Sequence, residues 1–349
     1  MSSPAPLQPQ RFRPPHFENS NPPTPRRILS PTRKAHMSAS EPRPVEANGE
    51  KPSTAGKIDI PPPKTQLDKI ETAKRTAAFN AVAAHFKSEY KFVGIGSGSS
   101  IVYGVEAISH HLQNHPPPEH HTNWFVPTGW ASRKTITAAG LTPIAFDSLP
   151  PNAVLEVCFD GADEVDDDLN CIKGGGACLF QEKLVALRSK KFVCIADYRK
   201  NQARLLTKWP SIPIEVAPIA YGSVIRELQA LGSNDPQLRE HSLVKTGPIQ
   251  TDQSFYIIDA PFPHPLLTSA DVASGKEGKG EGENGAWSVD ALAQRIRAIN
   301  GVLEVGLFHG LNGYETQKAG RTGAEKPVAV YFGMEDGSVK VLGDEGSKE

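Results

Sequence analysis

The segment from Val154 to Lys183 restricts the fold of this chain more than any other part of the sequence. Its first six residues, Val154–Phe159, are mostly apolar and predict a buried strand of a parallel sheet. That strand is followed by Asp160 and Asp163. Ligands of open α/β sheets bind at the carboxyl ends of the strands. Two carboxylates at such an end are well placed for acid–base chemistry.

The same segment continues with a lysine and a run of glycines. Lys173 precedes three residues that carry no Cβ and therefore allow close approach of a ligand: Gly174, Gly175 and Gly176. A helix predicted over 177–188 can hold an anion at its N-terminus, and Glu182 lies on its first turns. An Asp-Gly pair alone usually marks a turn. Burying two aspartates, a lysine and a glutamate in one short segment costs free energy. Their combination therefore favours a catalytic site.

This block resembles the signature of the type A ribose-5-phosphate isomerase family. That family carries DGAD, then KGGG, then a glutamate at fixed spacing, and the chain matches at Asp160–Asp163, Lys173–Gly176 and Glu182. The resemblance extends over about residues 65–343. It implies reversible conversion of D-ribose 5-phosphate into D-ribulose 5-phosphate through an enediolate, in the non-oxidative pentose phosphate pathway. It implies a sugar phosphate as the partner, no metal, no organic cofactor, and a homo-oligomer such as a dimer or tetramer.

The resemblance also implies a role for each residue of the block. Glu182 is expected to be the base that reaches both reacting carbons. Lys173 and the glycine amides are expected to stabilise the oxyanion. Asp160 and Asp163 are expected to serve the sugar hydroxyls and ring opening. Gly161 and Ala162, between these aspartates, complete the expected contacts of the block.

A second glycine-rich segment, residues 96–100, lies between a predicted strand (91–95) and a predicted helix (101–112). This arrangement is typical of phosphate binding, although Gly-Ser turns are common and the segment is neither a Walker A nor a GxGxxG motif. The isomerase family has a comparable loop, usually with threonines. Phosphate contacts are therefore expected from four residues: Ser97, Gly98, Ser99 and Ser100.

Two lysines complete the expected substrate site. Lys200 lies just past the predicted strand Phe192–Ala196, and the family has a substrate-contacting lysine at the corresponding distance from the glutamate. Lys74 lies on the first predicted helix and would add positive charge near the phosphate. Helical spacing alone makes Lys74 an ordinary surface lysine.

The order of the predicted elements indicates an α/β fold with two architectures. Alternating strands and helices over 65–200 predict a Rossmann-like, doubly wound sheet. They include a first helix with a capping box at Thr65 and a short strand at 143–146. Elements over 212–307, with strands predicted at 212–217, 242–246, 254–259 and 301–307, follow the order β-α-β-β-α-β of the ferredoxin-like unit. We expect a catalytic domain over 64–211 and 308–343, with an inserted ferredoxin-like α+β domain over 212–307. A flexible insertion at 268–286 and a second insertion at 310–326 interrupt these elements.

Residues 1–63 have a different composition from the rest of the chain. They hold about half of the 31 prolines and many serines, which predicts a disordered N-terminal extension. The basic, acid-poor start resembles a transit peptide, but its Pro-Pro pairs argue against the amphipathic helix that such a peptide needs. Met37 is an alternative start. No signal peptide is recognised and the four cysteines form no CxxC, so we expect a cytoplasmic protein.

The charge and hydropathy of the chain argue against nucleic acid and membrane as partners. The chain has 38 basic and 39 acidic side chains, so it lacks the positive charge of a nucleic-acid binder. No apolar run approaches the roughly 18 residues of a membrane span. The histidine-rich segment 110–121 can be considered as a metal site. Its triple proline and irregular ligand spacing favour a polar loop.

Two functions from other classes remain open. The same fold family includes coenzyme A transferases, in which a glutamate is the nucleophile. It also includes sugar-phosphate sensors, which bind without turnover. Fold analogy alone does not separate these functions from an isomerase. The intact set of aspartate, lysine and glutamate favours the isomerase.

Overall fold

The computed structural model describes residues 58, 60–240, 246–276 and 285–344. The strands of this part are, in chain order, β1 (Phe92–Ile95), β2 (Trp124–Pro127), β3 (Thr142–Pro143), β4 (Val157–Asp160), β5 (Glu164–Val165), β6 (Cys171–Ile172), β7 (Phe192–Asp197), β8 (Ile212–Val216), β9 (Gln237–Leu238), β10 (Tyr256–Ala260), β11 (Val302–Val305), β12 (Leu307–Phe308), β13 (Ala329–Gly333) and β14 (Val339–Gly343). The helices are α1 (Lys69–His85), α2 (Ser99–Asn114), α3 (Trp130–Ala138), α4 (Leu179–Leu187), α5 (Tyr221–Ala230), α6 (Ser269–Ala273), α7 (Val289–Arg297) and α8 (Gly313–Lys318).

Seven strands form a central sheet in the order β14-β13-β7-β4-β1-β2-β3. Its neighbouring strands are parallel except β13 and β14, which are antiparallel. The predicted Rossmann-like sheet is therefore confirmed, with one antiparallel strand at its edge. The chain moves from β1 to β3 on one side and from β4 to β13 on the other. Its direction reverses between β1 and β4, and ligands of doubly wound sheets bind at such a reversal.

Helices cover both faces of this sheet, which explains why its central strands are apolar throughout. On one face, α1, α2 and α3 pack against side chains such as Val93 and Ile95. On the other face, Val185 of α4 packs in the same cluster as Phe92 and Cys158. Phe92 and Val93 thus point to opposite faces, as successive residues of a strand do.

Four strands between residues 212 and 305 form a second, antiparallel sheet in the order β11-β8-β10-β9. Counted along the chain this order is 4-1-3-2, the arrangement of a ferredoxin-like unit, as predicted. Helices α5 and α7 share one apolar cluster with the sheet, in which Leu228 and Leu292 pack with Ile214 and Ile258. The second strand of the unit was predicted at 242–246, which overlaps residues outside the described part. The structure has β9 at 237–238 in the sheet instead.

The predicted strand 301–307 was wrong, because the chain forms two separate strands there. At Gly306 the backbone N–H donates to the Pro213 carbonyl at 2.7 Å, and the carbonyl accepts the Lys173 N–H at 2.8 Å. Strand β11 remains in the ferredoxin-like sheet, while β12 joins β6 and β5 in a third sheet. A Cβ on residue 306 would lie 2.3 Å from the Lys173 carbonyl oxygen, so this crossing needs glycine.

Three other local predictions also differ from the structure. Helix α1 is capped by Asp68, whose carboxylate accepts the Glu71 N–H at 2.8 Å, and not by Thr65. The strand predicted at 143–146 is limited to β3, and a 3-10 turn covers Phe146–Ser148. The insertion predicted as flexible over 268–286 begins with α6, which has a capping box at Thr268. Residues 277–284 of that insertion lie outside the described part.

The start of the described part can be compared with the predicted end of the N-terminal extension. Ile60 is partly buried against the main core, so ordered packing starts before the predicted border at 64. Residues 1–57 and 59, including Met37, lie outside the described part. Within the described residues, no helix is both long enough and apolar enough to cross a membrane. The domain borders at 211 and 307 stay predictions.

Removal of residues 1–57 is expected to change the melting temperature by less than about 2 °C, since composition gives this segment little apolar surface to bury. Removal of residues 1–64 also deletes the Ile60 side chain. Loss of that partly buried side chain costs about 1 kcal/mol, or roughly 2–4 °C. Thermal unfolding of the two truncated chains measures the difference. A large loss of stability on the shorter deletion would contradict the prediction.

Candidate active site

A cavity of about 200 Å³ lies at the reversal of the central sheet, beyond the carboxyl ends of β1, β4 and β7. It is lined by all the predicted substrate-binding residues and by three of the four predicted catalytic residues. These are Lys74, Ser97, Gly98, Ser99, Ser100, Gly161, Ala162, Asp163, Lys173, Gly174, Gly175, Gly176, Glu182 and Lys200. The fold therefore brings together predicted site residues that are distant from one another in the chain.

Three further residues line this cavity and were not predicted: Ala196, Asp197 and Arg199. Asp197 ends β7, just as Asp160 ends the neighbouring strand β4. The rule that selected Asp160 could have selected Asp197 as well. Arg199 is on the 3-10 turn Tyr198–Lys200, and its position beside Lys200 was the available signal.

An ion triad of one lysine and two carboxylates lies at the base of the cavity. The Lys173 Nζ is 2.8 Å from Asp160 Oδ2 and 3.2 Å from Glu182 Oε2. It also donates to the Gly161 carbonyl oxygen at 2.6 Å. All three charged side chains are at most 5% exposed. Such burial is tolerated because each charge has an opposite charge beside it.

Asp160 differs from its expected role, because it lies below the cavity and does not line it. Its Oδ1 accepts the N–H of Gly161 at 2.7 Å and that of Ser97 at 3.1 Å. Its Oδ2 is in the contact with Lys173. With both oxygens engaged and 1% of its surface exposed, Asp160 is placed to organise the site and not to contact a sugar.

The triad changes the proton affinity of its members. Burial and, after it, the Asp160 charge raise the pKa of Glu182, Lys173 opposes them, and the net result is a pKa of about 8. Burial also raises the pKa of Asp160, against the influence of Lys173. Burial alone would lower the pKa of Lys173, but the two carboxylates outweigh it and hold that pKa well above its usual value. Lys173 therefore remains a cation at neutral pH.

Glu182 lies on the first turn of α4 and faces the cavity. Its Oε2 is buried and makes the ion-pair contact with Lys173, yet it has no well-formed hydrogen bond to any described residue. A carboxylate oxygen in this condition has an unused lone pair. Together with the raised pKa, it gives a base suited to accept a proton near neutral pH.

The glycine run that precedes α4 brings the backbone close to the acidic residues. The Gly175 N–H donates to Asp163 Oδ2 at 2.8 Å, and a Cβ at this position would lie 2.8 Å from Asp163 Oδ1. Gly174 has a φ of +110°, in the region that favours glycine. Asp163, unlike Asp160, lines the cavity. The two aspartates of the motif therefore have different environments.

The opposite end of the cavity is formed by the N-terminus of α2. The helix begins at Ser99, two residues before the predicted start, and its N-cap Gly98 has no side chain to bond the first N–H groups. Lys74 Nζ donates to Ser99 Oγ at 2.9 Å. Unpaired N–H groups at a helix N-terminus, with a cation beside them, form a favourable site for a phosphate.

The histidine-rich segment is not part of this cavity. Residues 110–114 of this segment belong to the last turns of α2, and residues 115–121 form the loop that follows. In the described part of the chain, no group of three or more histidine, cysteine or acidic side chains has an arrangement that could hold a metal ion.

Comparison with known proteins agrees with these features. The sequence model of ribose 5-phosphate isomerase A (phosphoriboisomerase A) matches residues 124–315. A ribose-5-phosphate isomerase of Mycosarcoma maydis is 40% identical over 276 residues, which cover 79% of this chain and 82% of the relative. One from Candida albicans is 39% identical over 279 residues, which cover 79% of this chain and 98% of the relative.

Solved structures of ribose 5-phosphate isomerases have the same fold. That of Methanocaldococcus jannaschii matches with a TM-score of 0.60 and 27% identity, covering 78% of this chain and 99% of the other. A D-ribose-5-phosphate isomerase in complex with phospho-erythronic acid matches with a TM-score of 0.61 and 28% identity, covering 79% and 99%. From the family match and the extent of identity, the chain belongs to the ribose 5-phosphate isomerase A family.

Proposed function

We propose that this chain catalyses the reversible conversion of D-ribose 5-phosphate into D-ribulose 5-phosphate. The observation that carries the proposal is the position of Glu182, a buried base beside the Lys173 ammonium, in a cavity whose other end is suited to phosphate. Relatives that match over most of the chain bear the name ribose-5-phosphate isomerase. One similar structure holds phospho-erythronic acid, a sugar-acid phosphate.

The two ends of the cavity determine the orientation in which the open-chain substrate binds. Its phosphate binds at Ser97–Ser100, where the N–H groups of α2 and the Lys74 ammonium converge. Lys200 adds a second cation at the cavity wall. The aldehyde end then lies at Glu182 and Lys173. Binding the phosphate in this way holds C1 and C2 near the base and reduces the entropy lost at the reacting centre.

The reaction moves one proton between neighbouring carbons. The Glu182 carboxylate removes the C2 proton, the C–H electron pair forms the C1=C2 double bond, and negative charge develops on O1. The Lys173 charge and the Gly174–Gly176 amides lie beside this region and stabilise the enediolate. Glu182 returns the proton to C1, and the O2 proton passes to O1, so O2 becomes the carbonyl and O1 becomes the C1 hydroxyl. No electrons leave the substrate, so the proposal requires no redox cofactor.

Asp163 is the residue proposed to act on the hydroxyl groups and on ring opening. It lines the cavity, and the Gly175 N–H fixes one of its oxygens at 2.8 Å. Asp160 has the different task of holding Lys173 and the phosphate loop, through contacts with the Lys173 ammonium and the Ser97 N–H. The predicted homo-oligomer and the predicted cytoplasmic location remain predictions.

The coenzyme A transferase alternative assigns Glu182 a different task. A glutamyl thioester requires the carboxylate to attack an acyl group. Glu182 is 4% exposed and lies in an ion triad, which favours a small substrate that fits inside the cavity. A sensor without turnover has no need for a buried base of this kind, because phosphate and hydroxyl contacts suffice for binding.

Glu182→Gln is expected to lower kcat by at least about 10²–10⁴, because the amide keeps the shape of the side chain but cannot accept a proton. KM should change far less, since the phosphate contacts remain. A coupled assay with ribose 5-phosphate measures both constants. Glu119→Gln, at a side chain 90% exposed, makes the same chemical change away from the cavity and should leave kcat unaltered. Near-normal turnover by Glu182→Gln would transfer the role of base to another residue.

The pH dependence of kcat/KM is expected to reflect the proton affinity that the ion triad gives Glu182. Activity requires deprotonated Glu182, so kcat/KM is expected to rise with pH through about 8, the raised pKa of this residue. Lys173 lowers that pKa and Asp160 raises it. Lys173→Met should therefore move the rise to higher pH, and Asp160→Asn should move it to lower pH. Shifts of both variants in the same direction would contradict this assignment.

Lys200→Ala is expected to raise KM with little change in kcat, because phosphate contacts act on ground and transition states alike. Free ribose should be a very poor substrate, since remote phosphate binding helps to position the reacting carbons. Lys134→Ala, at an exposed lysine of α3, serves as the matched control. If free ribose reacted with comparable kcat/KM, the phosphate site would be assigned wrongly.

A further inference from the structure

Three cations near the phosphate end of the cavity differ in how they are held. Lys74 Nζ donates to Glu71 Oε1 at 2.7 Å. Arg199 binds both carboxylate oxygens of Asp197, at 2.7 and 3.0 Å. Among the described residues, no carboxylate oxygen lies within ion-pair distance of Lys200. Lys200 is therefore the cation of this group whose charge is not neutralised by a direct partner.

An aromatic ring is the contact that Lys200 does make. Its Nζ lies over the Trp209 ring, 4.8 Å from the ring centroid. A cation above an aromatic face is attracted by the ring quadrupole. A carboxylate in the same place would also fix the ammonium, but it would neutralise the charge that a phosphate needs. The ring holds the lysine and leaves its charge available.

A buried carboxylate fixes the position of Trp209. Glu164, which is 0% exposed, accepts four consecutive backbone N–H groups from residues 206–209. One of them is the Trp209 N–H itself, at 3.1 Å from Glu164 Oε1. Glu164 directly follows Asp163 in the chain. Glu164 thus connects the cavity-lining residue Asp163 to the Trp209 ring beneath Lys200.

Packing alone does not explain a tryptophan at this position. Its Nε1 is buried and has no hydrogen-bond partner among the described residues. A buried donor without a partner destabilises the folded state, and phenylalanine would avoid that cost. Tryptophan provides the aromatic face to which a cation binds best. The unpaired indole N–H therefore indicates that the ring serves Lys200.

We propose that Trp209 is a positioning residue for substrate binding, which holds the Lys200 ammonium at the phosphate end of the cavity. The residue does not line the cavity itself, so it acts through Lys200. This inference rests on the proposed function for its choice of substrate. Its central test uses inorganic phosphate, which does not depend on turnover.

Steady-state kinetics of Trp209→Leu and Trp209→Phe give the first measurement. Trp209→Leu is expected to raise KM for ribose 5-phosphate about fivefold, roughly 1 kcal/mol at 1.4 kcal/mol per tenfold change, with kcat within about twofold of the wild type. Trp209→Phe should raise KM less, and its melting temperature should fall little because an unpaired N–H is removed. Unchanged KM in both variants would overturn the proposal.

Trp287→Leu is the matched control. Trp287 packs in the same apolar cluster but donates its Nε1–H to the Leu231 carbonyl at 3.1 Å, away from Lys200. This variant should lower the melting temperature and leave KM unchanged. An equal rise of KM in Trp287→Leu would show that loss of packing, and not loss of the contact with Lys200, accounts for the effect.

The double variant separates positioning from general structure. With Lys200→Ala already present, Trp209→Leu should not weaken phosphate binding further. A titration of inorganic phosphate followed by ³¹P NMR measures the Kd of wild type, both single variants and the double variant. We expect Trp209→Leu to raise this Kd about fivefold only when Lys200 is present. Equal effects in both backgrounds, or a wild type that does not bind phosphate, would overturn the proposal.

The titration also distinguishes the two proposals. If the chain failed to isomerise ribose 5-phosphate but showed the predicted phosphate affinities, the proposed function would fail while the role of Trp209 stood. If turnover were normal and Trp209→Leu left the phosphate Kd unchanged, the role of Trp209 would fail alone.

Discussion

The ammonium of Lys173, placed between Asp160 and Glu182, is the interaction on which the rest of the site depends. It joins the end of β4 to the first turn of α4, and the backbone N–H of the same residue donates to Gly306, between β11 and β12. The central sheet, the catalytic helix and the start of the third sheet therefore meet at one residue. Removing Lys173 would leave two buried carboxylates without a counter-charge, which is strongly destabilising.

The same triad organises the phosphate end of the cavity. Asp160 accepts the Ser97 N–H, so the loop before α2 is tied to the carboxylate that holds Lys173. A Cβ on residue 96 would lie 1.8 Å from Asp160 Oδ1, which shows how closely the loop approaches it. Substrate binding and proton transfer thus depend on one set of contacts. This connection explains why a change at Asp160, which lies below the cavity, should reach both functions.

Much of the fold and of the site could be predicted from the sequence, because its signals are local. Apolar runs marked the central strands, and the motif placed Asp163, Lys173 and Glu182 together. The inward position of Asp160 could not be predicted, since it depends on which N–H groups surround each carboxylate. The break at Gly306 was missed because it depends on contacts with Pro213 and Lys173.

Trp209 was missed for the same kind of reason. Its place below Lys200 arises from four N–H bonds to Glu164, a residue 45 positions earlier in the chain. No spacing rule connects an acidic residue after a strand with a loop so far along the sequence. Asp197 and Arg199 could have been predicted, because both follow a predicted strand whose carboxyl end was already expected to face the substrate.

The ion triad gives Glu182 a proton affinity suited to catalysis. The direct measurement is a titration of the Glu182 carboxyl by isotope-edited infrared difference spectroscopy, with Glu182→Gln subtracted to assign the band. We predict that the carboxylate band of Glu182 appears as the pH rises through about 8. A band already complete well below neutral pH, near the ordinary glutamate pKa of about 4.3, would contradict the account.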